Sequence, residues 1–291
     1  MQYIKRDLER VVLQASEEYP AVIITGSRQI GKTTMLQKLM QGTTRNYVTL
    51  DDLTERALAQ NDPEMFLQLH KPPILIDEVQ YAPQLFTYIK IHADRNQRPG
   101  DFWMTGSQSF KLMKLAGESL VGRACILHMC TMSQNELYGN GENLPFTLNQ
   151  DTLQMRIAAR TPADTPAIYE RIFRGSMPAL ASGHVSNRNL FYSSYLQTYI
   201  ERDIRELDGD IESVEFLRFI TAVACRTGQM VNYADIGNDM GGMRSERCRN
   251  GLGCWKNPIS FFICIPIPTT CLNVQSANQS CISTIRDLSR T

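Results

Sequence analysis

The sequence predicts an α/β fold, a parallel sheet with flanking helices built around a phosphate-binding loop, followed by a mainly helical region. Three observations carry that expectation. The glycine-containing segment Gly26-Ser27-Arg28-Gln29-Ile30-Gly31-Lys32-Thr33-Thr34 follows the apolar run Ala21-Val22-Ile23-Ile24-Thr25. A second apolar run, Pro73-Ile74-Leu75-Ile76, ends in the carboxylates Asp77 and Glu78, 45 residues after Lys32. Strand and helix patterns alternate up to about residue 135, as in βαβ units.

Taken in order, residues 21–25 read as a buried strand that feeds the loop. Gly26 and Gly31 let the backbone curl, so that successive amide N–H groups point at a β-phosphate from the positive end of the helix starting near Lys32. Lys32 reaches the β- and γ-phosphates and Thr33 offers its hydroxyl to Mg²⁺. Every residue from Gly26 to Thr34 is therefore a candidate for the nucleotide cradle. The helix continues over 33–40, a strand follows over 46–50 and a second helix over 53–60.

The run at 73–76 suits a central parallel strand, which delivers Asp77 and Glu78 at its C-terminal end beside the loop. Asp77 is placed to hold Mg²⁺ through its water shell, and Glu78 to polarise an attacking water. A third strand, Asp101-Phe102-Trp103-Met104-Thr105, runs into Gly106-Ser107-Gln108. A polar side chain there can touch a γ-phosphate, so Ser107 is the candidate sensor, with Thr105 and Gln108 behind it. Arg123 ends the segment Glu118-Ser119-Leu120-Val121-Gly122-Arg123 before the apolar Ala124-Cys125-Ile126-Leu127. It suits a finger that stabilises the transferred phosphoryl group, from its own chain or a neighbour, and equally a surface salt bridge.

The ordered series Tyr3-Ile4-Lys5-Arg6, Thr25-Gly26-Ser27-Arg28-Gln29, Tyr47-Val48-Thr49-Leu50-Asp51-Asp52, Ile76-Asp77-Glu78-Val79-Gln80, Thr105-Gly106-Ser107-Gln108 and Ser119-Leu120-Val121-Gly122-Arg123 resembles a family of prokaryotic ATPases in the AAA+ superfamily. In that family the ATPase is followed by a domain of uncharacterised function with a winged helix. Phe173-Arg174-Gly175-Ser176-Met177-Pro178 and Tyr199-Ile200-Glu201-Arg202-Asp203-Ile204 resemble the start of that second domain. The resemblance covers residues 1 to about 242. It implies ATP as ligand, a sensor near Ser107 and a finger role for Arg123, and it supplies no substrate.

Bulk properties fit a soluble cytoplasmic protein. A chain of 291 residues can bury a substantial core in one large or two ordinary domains. Thirty basic and thirty acidic residues cancel, which argues against strong nonspecific attraction to nucleic acid. No basic-then-apolar leader opens the sequence, and no apolar stretch reaches the ~20 residues a membrane helix needs. His70, His92, His128 and His184 show no metal-ligand spacing.

The polar stretch Tyr138-Gly139-Asn140-Gly141-Glu142-Asn143 divides an ATPase domain, 1–138, from a helical domain, 139–242. In the latter, 191–207 is helical in pattern, and its aromatics Phe191, Tyr192, Tyr195 and Tyr199 read as packing rather than as a base-stacking platform. Two further helices, 216–225 and 233–240, the second capped by Asn232, form the first half of a helix-turn-helix.

The recognition helix that should follow is absent from the pattern. From about Met243 the apolar periodicity collapses, and five of the eight cysteines fall in the last 49 residues without a C-x-x-C pair. Residues 257–285 contain no charge. Reading codons from the third base, Cys254-Trp255 forces Leu and Trp255-Lys256 forces Glu. The choices that follow permit a run resembling what the same family carries after its helix-turn-helix. The expectation is a coding frame that shifts near residue 243, with a disordered tail over 243–291.

Three functions compete on this reading. One is an ATPase using Mg²⁺-assisted attack of water on the γ-phosphate, as a homo-oligomer if Arg123 serves a neighbour. Another is a slow nucleotide-dependent switch acting on DNA or a protein partner through its C-terminal module. The last is a truncated product without a role.

Overall fold

The structure is a computed structural model, described over residues 3–106, 119–139, 149–158, 162–199, 213–226, 229, 232–242, 262–264 and 281–283. It divides into two compact units, Met1–Pro162 and Ala163–Thr291.

The first unit is built on five parallel strands: β1 (Ala21–Thr25), β2 (Asn46–Thr49), β3 (Ile74–Asp77), β4 (Phe102–Gly106) and β5 (Ala124–His128). Their order is β2-β3-β4-β1-β5. The three inner strands β3, β4 and β1 are buried at every position, which is why they read as unbroken apolar runs. The edge strands β2 and β5 are only partly covered. Ile23, Ile74, Ile76, Phe102 and Met104 from the sheet pack with Phe66 and Phe86 from flanking helices in one core.

The helices are α1 (Leu8–Glu18), α2 (Lys32–Leu39), α3 (Leu53–Asn61), α4 (Pro63–Leu69), α5 (Leu85–Asn96), α6 (Gln134–Tyr138) and α7 (Gln150–Ala158). Local chemistry sets several starts. Asp52 accepts from the backbone N–H of Thr54 and Glu55 to open α3, and Asp62 accepts from Met65 N ahead of Pro63 to open α4. Ser133 and Glu136 form a reciprocal capping box on α6.

One expectation needs refinement. Asp77 and Glu78 do reach the C-terminal edge of the sheet, but β3 does not adjoin β1, because β4 lies between them. The end of β4 thus lies between the two strands, and its Thr105 side chain meets Asp77.

The second unit is helical over α8 (Thr165–Arg174), α9 (Pro178–Ala181), α10 (Arg188–Tyr199), α11 (Ser213–Ala224) and α12 (Tyr233–Asp239). The helix expected from residue 191 starts at Arg188 instead, because the Asn187 side chain accepts from Leu190 N at 3.0 Å and caps it there. Tyr192 and Leu196 are buried on α10, and the Phe191 and Tyr195 rings stack at 6.2 Å, so this part of the aromatic stripe is packing. Residues 200–207 of that expected helix lie outside the described residues.

Phe219 and Val223 of α11 and Ile236 of α12 are buried, and Arg226 pairs with Asp239 at 2.6 Å. Asn232 caps α12 as expected, accepting from Ala234 N at 2.9 Å. In the region read as an out-of-frame tail, Phe262–Cys264 (β6) pairs antiparallel with Cys281–Ser283 (β7). The rest of 243–291 lies outside the described residues. Among the described residues, no helix is long and apolar enough to cross a membrane.

Candidate nucleotide site

The loop between β1 and α2 is shaped by positions only glycine fits. Gly26 sits at φ 142, and a Cβ there would meet the carbonyl oxygen of Met129 at 2.3 Å. Gly31, at φ 91, is the N-cap of α2, so the first free amides of the helix face the loop. Ser27 and Ile30 are buried, Arg28 is half-buried, and Gln29 is exposed with a left-handed φ of 58. Lys32 is buried, its ammonium donating to the carbonyls of Gly26 at 3.0 Å and Ser27 at 2.7 Å. Its charge is thereby folded back onto the loop backbone. Thr34 is exposed on α2.

Thr33 Oγ1 donates to Asp77 Oδ1 at 2.6 Å. Side chains 44 residues apart in sequence thus join the loop to the end of β3. Thr105, fully buried at the end of β4, donates to the same Asp77 oxygen and accepts from the Glu78 backbone N–H at 3.1 Å. The Tyr47 hydroxyl, from β2, donates to the other carboxylate oxygen at 3.3 Å. Partial burial and the Asp77 charge hold the Tyr47 phenol above its ordinary value, so it remains a donor. Glu78 follows Asp77 in left-handed backbone, φ 57.

A hydroxyl and a carboxylate 2.6 Å apart form a hard-oxygen donor pair suited to Mg²⁺, which binds through one or two protein ligands plus phosphate and water. Among the described residues there is no cluster of three or more His, Cys, Asp or Glu that could hold a metal. On the far side of the loop, His128 ends β5 with Nδ1 3.3 Å from Thr25 Oγ1. Burial of its ring and the nearby Lys32 charge lower its pKa.

Arg123 stands elsewhere. It precedes β5, and its carbonyl accepts from Ala21 N, so it lies at the N-terminal edge of the sheet. Five residues of strand at ~3.3 Å each put it about 17 Å from the phosphate loop along the sheet. There its guanidinium forks onto Asp94 through Nε and Nη2, with Nη1 donating to the Val121 carbonyl at 3.0 Å. Of the two sources left open for a finger, its own chain does not bring it to the loop. Ser107 and Gln108 lie outside the described residues.

Sequence reasoning missed a buried support beneath the loop. The Arg6 guanidinium donates to the carbonyls of Ile30 at 2.7 Å and Cys130 at 2.7 Å, and its Nε pairs with Glu136 Oε1 at 2.9 Å. Glu136 also accepts from Asp7 N at 2.8 Å and Ser133 N at 2.7 Å. The S-x-x-E capping pattern at 133–136 was the only local sign that Glu136 had a structural task.

Comparisons with known proteins agree with this geometry. Residues 18–138 match the family model described as an AAA domain, and residues 165–252 match that of a domain of unknown function. Uncharacterized proteins of Mycobacterium bovis and Mycobacterium tuberculosis are each 26% identical over 241 residues, 81% of this chain. The chain spans 48% of the length of these relatives. A Walker-type ATPase of Pyrococcus abyssi is similar in fold, with a TM-score of 0.54 at 12% identity, over 87% of this chain and 89% of that one. Residues 18–138 thus match an AAA domain within a chain that shares the fold of a Walker-type ATPase, and the helical region that follows matches a domain of unknown function.

Proposed function

We propose that this AAA-domain chain binds ATP with Mg²⁺ and hydrolyses it to ADP and phosphate. The observation that carries the reading is the junction of Thr33 and Asp77 at 2.6 Å, beside a loop whose carbonyls hold the Lys32 ammonium. A glycine-rich turn with a chance lysine would have no reason to aim that hydroxyl at a carboxylate from a different strand. Bound Mg²⁺ would neutralise charge on the β- and γ-phosphates and template their oxygens, held by Thr33 and Asp77.

The chain's own groups divide the remaining work. Loop amides and the α2 N-terminus cradle the β-phosphate, and Lys32 leaves the loop carbonyls to meet the γ-phosphate. Glu78 accepts a proton from the attacking water. Ser107 is assigned the sensor role, with Thr105 linking the metal carboxylate to the base. Arg123 serves as a finger for a neighbouring subunit, which makes the active form a homo-oligomer.

Calorimetry and phosphate release test the scheme. Lys32→Ala should abolish ATP binding, Asp77→Asn should weaken its Mg²⁺-dependent part, and Glu78→Gln should bind both while hydrolysing ATP only at a low residual rate. Unchanged ATP affinity in folded Lys32→Ala sinks the nucleotide site. Parental turnover in Glu78→Gln sinks the base assignment.

A second reading, a slow switch acting on DNA or a protein partner, draws on the α11–α12 pair, whose order, Asn232 cap and Arg226–Asp239 link suit the first half of a helix-turn-helix. Nucleotide-dependent retention on duplex DNA, with a phosphate-release rate near the uncatalysed one, would favour it over the hydrolase.

A further inference from the structure

Glu78 is held at both ends, at its backbone by Thr105 and at its carboxylate by Gln80, a side chain that the hydrolytic scheme leaves without a task. Its backbone N–H donates to Thr105 Oγ1 at 3.1 Å, and its carboxylate Oε2 accepts from Gln80 Nε2. Gln80 is only 5% exposed. It is carried on the single 3₁₀ turn Val79–Tyr81, which starts immediately after Glu78. That turn is anchored by fully buried Val79 and closed by Tyr81 N→Glu78 O at 3.1 Å and Ala82 N→Val79 O at 3.0 Å. The carboxamide therefore has little freedom to leave the carboxylate it touches.

We infer that Gln80 is a positioning residue for the general base, fixing the side chain of Glu78 while Thr105 fixes its backbone. The inference rests on the assignment of Glu78 as base. A carboxamide suits the task because it donates to a carboxylate without adding charge. A carboxylate without such a partner would sample several rotamers and meet the water in few of them. The short spacing matters too. Two residues separate donor and acceptor, so the pair forms within one rigid turn and does not depend on loop closure.

Two variants test it in the full chain. Gln80→Leu fills the space without a donor, and Gln80→Glu keeps the shape while setting a second carboxylate against the first. Both should lower kcat by up to about a hundredfold, while KM and calorimetric ATP affinity stay within roughly twofold of the parent. Because Gln80 acts through Glu78, adding Gln80→Leu to Glu78→Gln should leave the residual rate unchanged. A parental or raised kcat in folded Gln80→Leu overturns the inference, and so does a further loss of the same size on the Glu78→Gln background, which marks a structural role. The two failures are separable: an active Glu78→Gln chain refutes the base itself, whereas a dead Glu78→Gln beside a fully active Gln80→Leu refutes only the positioning.

Discussion

Removing the Arg6 guanidinium tests whether the nucleotide loop is supported from below. Arg6 and Glu136 each keep only 5% of their side-chain surface exposed, and the guanidinium also satisfies the Ile30 and Cys130 carbonyls. Arg6→Met preserves the apolar stem but leaves Glu136 charged and buried, with backbone donors and no cation. Breaking a buried pair from one side costs about 3–5 kcal/mol. For a unit of this size each kcal/mol moves the melting point by about 2–4 °C, so calorimetry on the full chain should record a fall of roughly 6–20 °C. The sharper prediction is a change of sign. Glu136→Gln alone should destabilise, by removing the partner of a buried cation, whereas on the Arg6→Met background it should stabilise by discharging the orphaned carboxylate. ATP affinity in folded Arg6→Met should also drop, since the carbonyl of Ile30, next to Gly31, loses its tether. A melting point within about 2 °C of the parent, or equal effects of Glu136→Gln on both backgrounds, would refute the reasoning.

Other outcomes follow from the same geometry. Gly26→Ala must displace either the loop or the Met129 carbonyl it would strike at 2.3 Å, so ATP binding should be lost while most of the helical circular dichroism stays. Tyr47→Phe removes one of the hydroxyls that orient Asp77 and should raise the Mg²⁺ concentration for half-maximal hydrolysis about tenfold, with Mg²⁺-free ATP affinity unchanged in calorimetry. Mixing Arg123→Ala with Lys32→Ala chains should restore hydrolysis that neither shows alone, because one hybrid interface joins an intact loop to an intact finger. No rescue in a mixture shown by native mass spectrometry to co-assemble would leave Arg123 as the structural partner of Asp94.

The parts of the site legible in the sequence are those whose chemistry is local. Lys32, Thr33, Asp77 and Glu78 could be read because a phosphate loop needs its glycines and its lysine at fixed spacing, and because a fully buried strand announces its end by its first charges. Strand order was not legible: alternating βαβ patterns give a parallel sheet, but nothing in residues 101–106 says that β4 slips between β3 and β1. Thr105 could be ranked only behind Ser107, since its link to Asp77 and Glu78 follows from that insertion. Arg6 and Glu136 are 130 residues apart, and each alone looks like an ordinary surface charge. Tyr47 reads as a half-exposed strand residue until the neighbouring strand places Asp77 within reach.

The sheet also bears on how many chains an active unit needs. Parallel strands gather the loop, Asp77 and Glu78 at their C-terminal ends, and the turn before β5 sets Arg123 at the opposite edge, about 17 Å away. A guanidinium at the end of an extended arginine side chain spans about 7 Å, less than half that distance. If Arg123 stabilises a transferred phosphoryl group, a second chain must therefore present its N-terminal sheet edge to the loop of the first. Such a contact joins two different faces and is heterologous, so it repeats around a ring or along a filament rather than closing as a two-fold dimer. Asp94 then holds the finger in its extended fork before any neighbour arrives, and both members of that pair are exposed enough for solvent to make the exchange cheap. Hydrolysis per chain should accordingly rise with protein concentration, and Arg123→Ala should flatten that dependence without changing ATP affinity in the dilute chain.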